Sequence, residues 1–291
     1  MKRVNLITIE SQGGLGNQLF QLGLAVELKL FNSTPVRIDN WRHDLKNARP
    51  FEAPYELFEI PTFKSNHKLM CKHGLIGKTL RYSRYRLDPR VKRENTLSFD
   101  ETFLSVDNKS IFVGYFQSWK YFQRSFLTIK ERLTEQLERS EWIINIKREL
   151  ETRGPWYAIH VRRGDYLTKR SRSVHGVLDR NYYDMALRNM SSLLPNSRPV
   201  LFSDDPISAI KMLDGVHKNI EIFDPKLNGS NLENLLLMST AKGIITANSS
   251  YSWWAAKLND NSLCPVIVPI SWYAKLILPF DDLIPKNWLK I

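Results

Sequence analysis

Two adjacent arginines, Arg162 and Arg163, close an apolar run in the motif His160-Val161-Arg162-Arg163-Gly164-Asp165-Tyr166. Guanidinium groups at a strand end are costly to bury without an anion, and their planar fork matches a phosphate bidentately. The competing reading is an internal ion pair, with Asp165 fixing the turn; two neighbouring guanidiniums favour the phosphate. Ser203-Asp204-Asp205 sets two carboxylates side by side. They suit a divalent cation between phosphates or the N–H edge of a nucleobase. Capping of a helix after Pro206 would use one acid and leave the other to explain. Asn248-Ser249-Ser250 offers hydroxyls and helix-start amides to an anion, or simply an N-cap. In the loop 13–18, Gly13, Gly14 and Gly16 let backbone N–H groups approach an anion, with Asn17 and Gln18 beside them. That loop is neither G-x-G-x-x-G nor a Walker loop, and a tight strand–helix turn would use the same glycines. A Ser–His–Asp order, clustered His and Cys, and a metal-binding helix are all missing, so hydrolase and metalloenzyme readings lack support.

The elements that must carry these clusters follow from periodicity. Residues 4–9 form an apolar run that predicts a buried strand. Leu19, Leu22, Ala25, Val26 and Leu30 then recur at helical spacing, and 35–39 predicts a second strand. The stretch 111–116 reads as a strand, and 126–137 and 143–150 as amphipathic helices. Between 41 and 107 the periodicity is weak and no element is assigned. From 155 onward, strands (156–161, 199–202, 220–223, 243–247, 265–269) alternate with helices (182–190, 207–213, 232–241, and one opening at 248–250). Such alternation predicts parallel sheets with right-handed crossovers. In open α/β sheets ligands sit beyond the carboxyl ends of the strands. The clusters at 13–18, 160–165, 203–205 and 248–250 all fall at such ends. The expectation is two Rossmann-like α/β domains facing across a cleft. The first spans 1–150 with a basic insertion at 64–93, and the second spans 151–291.

The 291 residues carry a formal net charge of +12, unevenly spread. Between Lys64 and Arg93 stand ten Lys and Arg against one acid, Asp88, leaving nine net charges there and three elsewhere. Such a run is usually a solvated face, but it would also suit nucleic acid, anionic lipid or a phosphorylated substrate. An RNP-type aromatic motif and zinc-ligand spacing are absent, which argues against nucleic acid. The start of the chain is basic, but the apolar stretch after it is too short for a signal-peptide core. The most apolar window, 263–280, is broken by Pro265, Pro269, Lys275 and Pro279, so no membrane span is expected. Two cysteines, Cys71 and Cys264, provide no disulfide framework. The expected compartment is the cytoplasm.

The segments Gly13-Gly14-Leu15-Gly16-Asn17-Gln18-Leu19-Phe20-Gln21, Gly114-Tyr115-Phe116-Gln117, 160–166, Phe202-Ser203-Asp204-Asp205 and 248–256 occur in this order. Together they resemble the bacterial α-1,2-fucosyltransferases of glycosyltransferase family 11, from Gly13 to the closing Asn287-Trp288-Leu289-Lys290-Ile291. The basic stretch 64–93 has no counterpart in that resemblance. It implies a GT-B fold and inverting transfer of L-fucose from GDP-fucose to the 2-hydroxyl of a galactoside, without metal or other cofactor. It also implies a place in O-antigen or surface-glycan assembly, where acceptors are carried on polyprenyl diphosphate. Peripheral contact with anionic membrane at the inner face is the corresponding expectation for the basic stretch. By the same resemblance, Arg162 holds the donor β-phosphate, with Arg163 beside it. His160 and one of Asp204 or Asp205, next to Ser203, read the guanine. Asn248, Ser249 and Ser250 lie near the β-phosphate, and Asn17, with Gly14 and Gly16, faces phosphate and fucose. Asp165 is the motif carboxylate nearest the acceptor chemistry. A fucosyltransferase with a different acceptor or linkage, and a non-catalytic nucleotide or RNA binder, are the alternatives.

Overall fold

The short strand β1 (Ile7–Glu10) is buried at all four positions, and its helix α1 (Leu15–Phe31) is buried over most of its length. An α-helix this apolar must be covered by sheet on one side and by further chain on the other. Both are present in the computed structural model, which describes residues 6–66, 75–96, 98–105, 109–163, 176–217, 219–223, 229–273 and 282–291. The chain divides into two compact units, 1–132 with 278–283, and 133–277 with 284–291.

In the first unit, β1 is followed by β2 (Val36–Asp39), β3 (Thr62–Phe63), α2 (Leu75–Leu87), β4 (Val91–Arg93) and β5 (Ser110–Val113). The sheet order is β3-β2-β1-β5-β4, and every pair is parallel. The chain therefore runs outward from β1 in one direction, then returns to fill the other side. The change of direction lies between β1 and β5, and the loops leaving those strands are the glycine loop and the 114–117 turn.

The second unit takes the second half of α3 (Phe126–Arg139) and all of α4 (Glu141–Thr152). The division thus falls ahead of the 150/151 position read from the sequence. α4 packs on α7 (Asn231–Ser239), and Ser140, its N-cap, donates to Glu233 of that helix at 2.5 Å. The remaining elements are β6 (Trp156–Val161), α5 (Arg180–Leu193), β7 (Arg198–Ser203), α6 (Pro206–Leu213), β8 (Glu221–Ile222), β9 (Ile244–Ile245), α8 (Ser250–Leu258), β10 (Val266–Val268) and β11 (Leu289–Lys290). Their order is β11-β10-β9-β6-β7-β8, again wholly parallel. The reversal lies between β6 and β9. β6 is buried at all six positions, as a parallel strand covered on both faces should be. Its core joins Tyr157, Ile159 and Val161 to Tyr182, Tyr183 and Leu187 of α5.

The alternating strands and helices expected from the sequence are present, and two Rossmann-like α/β units result. The unassigned middle contains α2, β3 and β4. All three lie at or beyond the sheet edge and bury little, so they leave no apolar period to read.

Candidate functional site

The glycine loop begins as a backbone requirement. Gly13 has φ +82°, and a Cβ there would stand 2.5 Å from Asn17 Nδ2 and 3.0 Å from the Tyr115 ring. Gly14 is the N-cap of α1 and supplies no side-chain acceptor, so the helix opens with its first amides uncapped by a side chain. Gly16 is buried.

The polar side chains that follow are occupied by the protein itself. Gln18, fully buried, donates to Gly13 O (2.9 Å) and Pro50 O (2.7 Å) and accepts from Glu52 N (2.8 Å) and Ala53 N (3.1 Å). Gln21 donates to Gly114 O at 2.8 Å and accepts from Gln12 N at 3.2 Å. Asn17 Oδ1 accepts from Gln117 Nε2 at 2.6 Å. The bonds to Gly114 O and from Gln117 tie the start of α1 to the turn after β5.

That turn has its own anchor. Glu94 Oε2 accepts from Tyr115 N (2.8 Å) and Phe116 N (2.9 Å), and Phe116 takes the left-handed φ of +53°. A Cβ on Gly114 would lie 2.6 Å from Glu94 Oε2, which accounts for the glycine. Phe116 is fully buried against Phe103 and Tyr121. Burial pushes the Glu94 carboxyl up to about 7 against the two amide bonds that oppose the shift, and its Oε1 is buried without a partner among the described residues.

Glu10, at the end of β1, is wholly buried and receives Arg42 Nε at 2.8 Å and the Arg84 guanidinium. Burial pushes its carboxyl up, but the two guanidiniums outweigh burial and hold it below its ordinary value.

In the second unit β6 delivers His160 to the point of reversal. The ring is buried, 5.5 Å from the Tyr251 ring of α8, and its Nδ1 has no hydrogen-bond partner among the described residues. Burial, reinforced by the Arg162 charge and opposed by Asp204, pushes the imidazole down to about 3, so it is neutral at physiological pH. Arg162 Nε lies 3.2 Å from Asp204 Oδ2, and Arg163 N donates to Asp204 Oδ1 at 2.8 Å. Arg163 Nε is buried without a partner among the described residues.

The two acids divide their work. Asp205 caps α6, accepting from Ser208 N at 3.1 Å, while Asp204 orients the two arginines. Ser203 Oγ accepts from Asp205 N at 3.1 Å and steadies the turn. Ser249 caps α8, and Asn248, buried, donates to Trp272 O at 3.3 Å. Ser250 is the first residue of α8. Trp253 and Trp254 are core residues with no exposure. Asp165 lies outside the described residues.

The structure therefore brings His160, Arg162, Arg163, Ser203 and Asp204 together at adjacent strand ends, with the start of α8 on the neighbouring β9. Gly14, Gly16 and Asn17 gather separately, in the first unit. Sequence reasoning missed Glu10, Arg42 and Glu94, and also Tyr182 and Tyr183. From α5, Tyr183 donates to His160 O (3.1 Å) and Tyr182 to Thr246 O (2.7 Å), one on each side of the reversal. A pair of tyrosines within a helical period reads as core, and only the fold shows where their hydroxyls end. Among the described residues no group of three His, Cys, Asp or Glu stands close enough to hold a metal ion. No helix among them is long and apolar enough to cross a membrane.

Two all-parallel α/β units, each with polar residues gathered at its point of reversal, form the architecture in which open α/β sheets carry ligands at strand ends, with an anion-suited guanidinium pair in the second unit. The profile of glycosyl transferase family 11 matches residues 92–291, and the chain belongs to that family of glycosyltransferases. The alpha-1,2-colitosyltransferase of Escherichia coli is 26% identical, over 99% of this chain and 99% of its own length. The O-antigen biosynthesis glycosyltransferase WbnK of Escherichia coli is 28% identical, over 90% of this chain and 93% of its own. The crystal structure of fucosyltransferase NodZ from Bradyrhizobium aligns with a TM-score of 0.49 at 13% identity, covering 88% of this chain and 93% of that one.

Proposed function

We propose that this glycosyltransferase moves L-fucose from GDP-fucose to the 2-hydroxyl of a β-galactoside, with inversion and without a metal, in the assembly of a bacterial O-antigen or related surface glycan. The observation that carries the reading is the cluster at the β6–β9 reversal. There a guanidinium held by Asp204, a second with a buried Nε and a neutral imidazole with a buried Nδ1, both atoms unpaired among the described residues, stand at adjacent strand ends.

When the sugar leaves GDP, negative charge grows on the β-phosphate oxygen. A fixed guanidinium (Arg162) and the N-terminus of α8 at Ser249 and Ser250 stabilise that charge where it develops. Arg163 adds a second donor. Neutral His160 and Asp204 are suited to the hydrogen-bonding edge of guanine, and Ser203, Asp205 and Asn248 hold the turns that present them. Asn17, Gly14 and Gly16 are the first unit's share of contacts to phosphate and fucose. The anomeric carbon becomes oxocarbenium-like, so a weak base suffices for the acceptor hydroxyl; Asp165 is the motif carboxylate proposed for it. The acceptor is a galactose-containing glycan, carried on polyprenyl diphosphate in the cell.

A second donor is favoured by one observation, the relative named alpha-1,2-colitosyltransferase. The test is transfer, in EDTA, from GDP-fucose and from the matching colitosyl donor to a panel of β-galactosides, with linkage read by NMR. Fucose at galactose O2 is expected. Colitosyl transfer alone would replace the donor, a different linkage would replace the acceptor hydroxyl, and a strict Mn²⁺ or Mg²⁺ requirement would overturn the metal-free mechanism. Failure of every donor to bind would favour a non-catalytic binder.

A further inference from the structure

The basic stretch contains α2, which is fastened inward at two positions: Arg84 reaches the buried Glu10 carboxylate, its guanidinium lies 6.0 Å from the Trp41 ring centre, and Gly77 is buried. Beside them, Ile76, Leu80 and Leu87 are 68%, 38% and 76% exposed. Their spacings of four and seven residues place them in one stripe along the helix, which Arg84, four residues after Leu80, borders. The helix is thus anchored by a guanidinium and leaves an aliphatic row in solvent.

Around that stripe the surface is cationic. Arg86 is exposed on α2, and Lys92 and Arg93 are exposed on β4, which packs beside it. The only acid between Lys64 and Arg93, Asp88, is held by both Nε and Nη2 of Arg90 at 2.9 and 2.8 Å.

We propose that this face of α2 and β4 docks on an anionic lipid bilayer, with Ile76, Leu80 and Leu87 entering the acyl boundary and Arg86, Lys92 and Arg93 meeting the head groups. Charge complementarity selects this occupant. An aliphatic ridge ringed by cations matches an interface whose surface is negative and whose interior is hydrocarbon. Nucleic acid would use the cations but reward aromatic contacts, whereas the exposed apolar side chains described on this helix are aliphatic. A second copy would bring the same excess of positive charge against itself.

The full chain is mixed with vesicles of zwitterionic lipid, or of zwitterionic lipid with about one third phosphatidylglycerol, and floated on a density gradient. Flotation with the anionic vesicles only, reversed at high salt, is expected. K92E/R93E should weaken it by more than twentyfold, since each cation near such a surface contributes about fivefold. I76S/L80S/L87S should weaken it by roughly tenfold or more, because the apolar contact supplies the rest. Both variants change exposed positions, and transfer to a soluble galactoside should be unaltered in each. Loss of vesicle binding with intact transfer therefore reports on docking alone. Equal flotation with both vesicle types, flotation with neither, or full retention in both variants would overturn the proposal. So would a dimer that I76S/L80S/L87S dissolves, or binding of homopolymeric RNA in place of vesicles.

Discussion

The two points of reversal are built to opposite plans. At β1–β5 the polar side chains bind one another and the backbone: Gln18 is saturated by four partners, Gln21 bridges two loops, and Glu10 is clamped between guanidiniums. At β6–β9 the corresponding groups are held in place, but among the described residues His160 Nδ1 and Arg163 Nε have no partner. An unpaired buried donor or acceptor costs about 1–3 kcal/mol, so a fold retains one where a ligand will complete it. The first region is closed among its own groups by folding, whereas the second keeps capacity that the proposed donor would complete. Among the described residues of the first unit, Glu94 Oε1, on the turn that presents Gln117 to Asn17, and Asn40 Oδ1, after β2, are exceptions.

The comparison can be broken most decisively at Arg162. Arg162→Ala should lower the transfer rate by about a hundredfold or more while leaving the thermal midpoint nearly unchanged. A variant that unfolds but keeps its specific activity would make Arg162 a structural residue. Gln18→Ala should do the reverse. Losing four buried hydrogen bonds should cost about 3 kcal/mol in a denaturant titration, with the folded fraction still binding nucleotide. A loss of nucleotide affinity at unchanged stability would erase the distinction between the regions.

Acid–base behaviour sharpens it further. His160 is pushed down to about 3 from an ordinary 6.5, so the unfolded chain binds the extra proton between those values. Its contribution to stability is present above 6.5 and is lost as pH falls towards 3, by up to ~1.4 kcal/mol per pH unit. Glu94 is pushed up to about 7 from 4.5, so here the folded chain holds the proton. Its contribution is present below 4.5 and is lost as pH rises through 7. The two therefore oppose each other between pH 4.5 and 6.5. His160→Gln should remove the acid-side loss and Glu94→Gln the alkaline-side loss, measured as unfolding midpoint against pH relative to the unsubstituted chain. Difference curves of the same sign would refute this assignment. The smallest effect is expected at the paired acids. Asp205→Ala should cost about 1 kcal/mol as a lost helix cap with little change in transfer. Asp204→Asn should leave stability nearly intact and raise the donor KM. Exchanged outcomes would reverse the division of roles between the two acids.

Much of the site was legible before any coordinates. Gly13 and Gly16, the double arginine and the double aspartate all stood out, because parallel strands are short apolar runs and whatever polar residue follows them lies at a ligand-binding edge. The cap at Ser249 and one cap among the aspartates were foreseen as a helix-start requirement. Glu94 was not legible, since a single acid in a basic, aperiodic stretch has no pattern. α2 was hidden because its anchor is an arginine and the aliphatic residues beside it are exposed, so its apolar positions mark no buried face.

By itself the sequence determined the alternation of strands and helices, the family, and which residue types crowd the strand ends, because these depend on local periodicity and on neighbours along the chain. Only the tertiary structure decided that β5 lies beside β1 and β9 beside β6. These pairings join loops a hundred residues apart through Asn17 and Gln117, and set His160 beside Tyr251. The physical reason is that burial and hydrogen-bond satisfaction are properties of the packed neighbourhood. Which aspartate caps and which orients, and which polar atoms are left for a ligand, is settled only when the sheets are assembled.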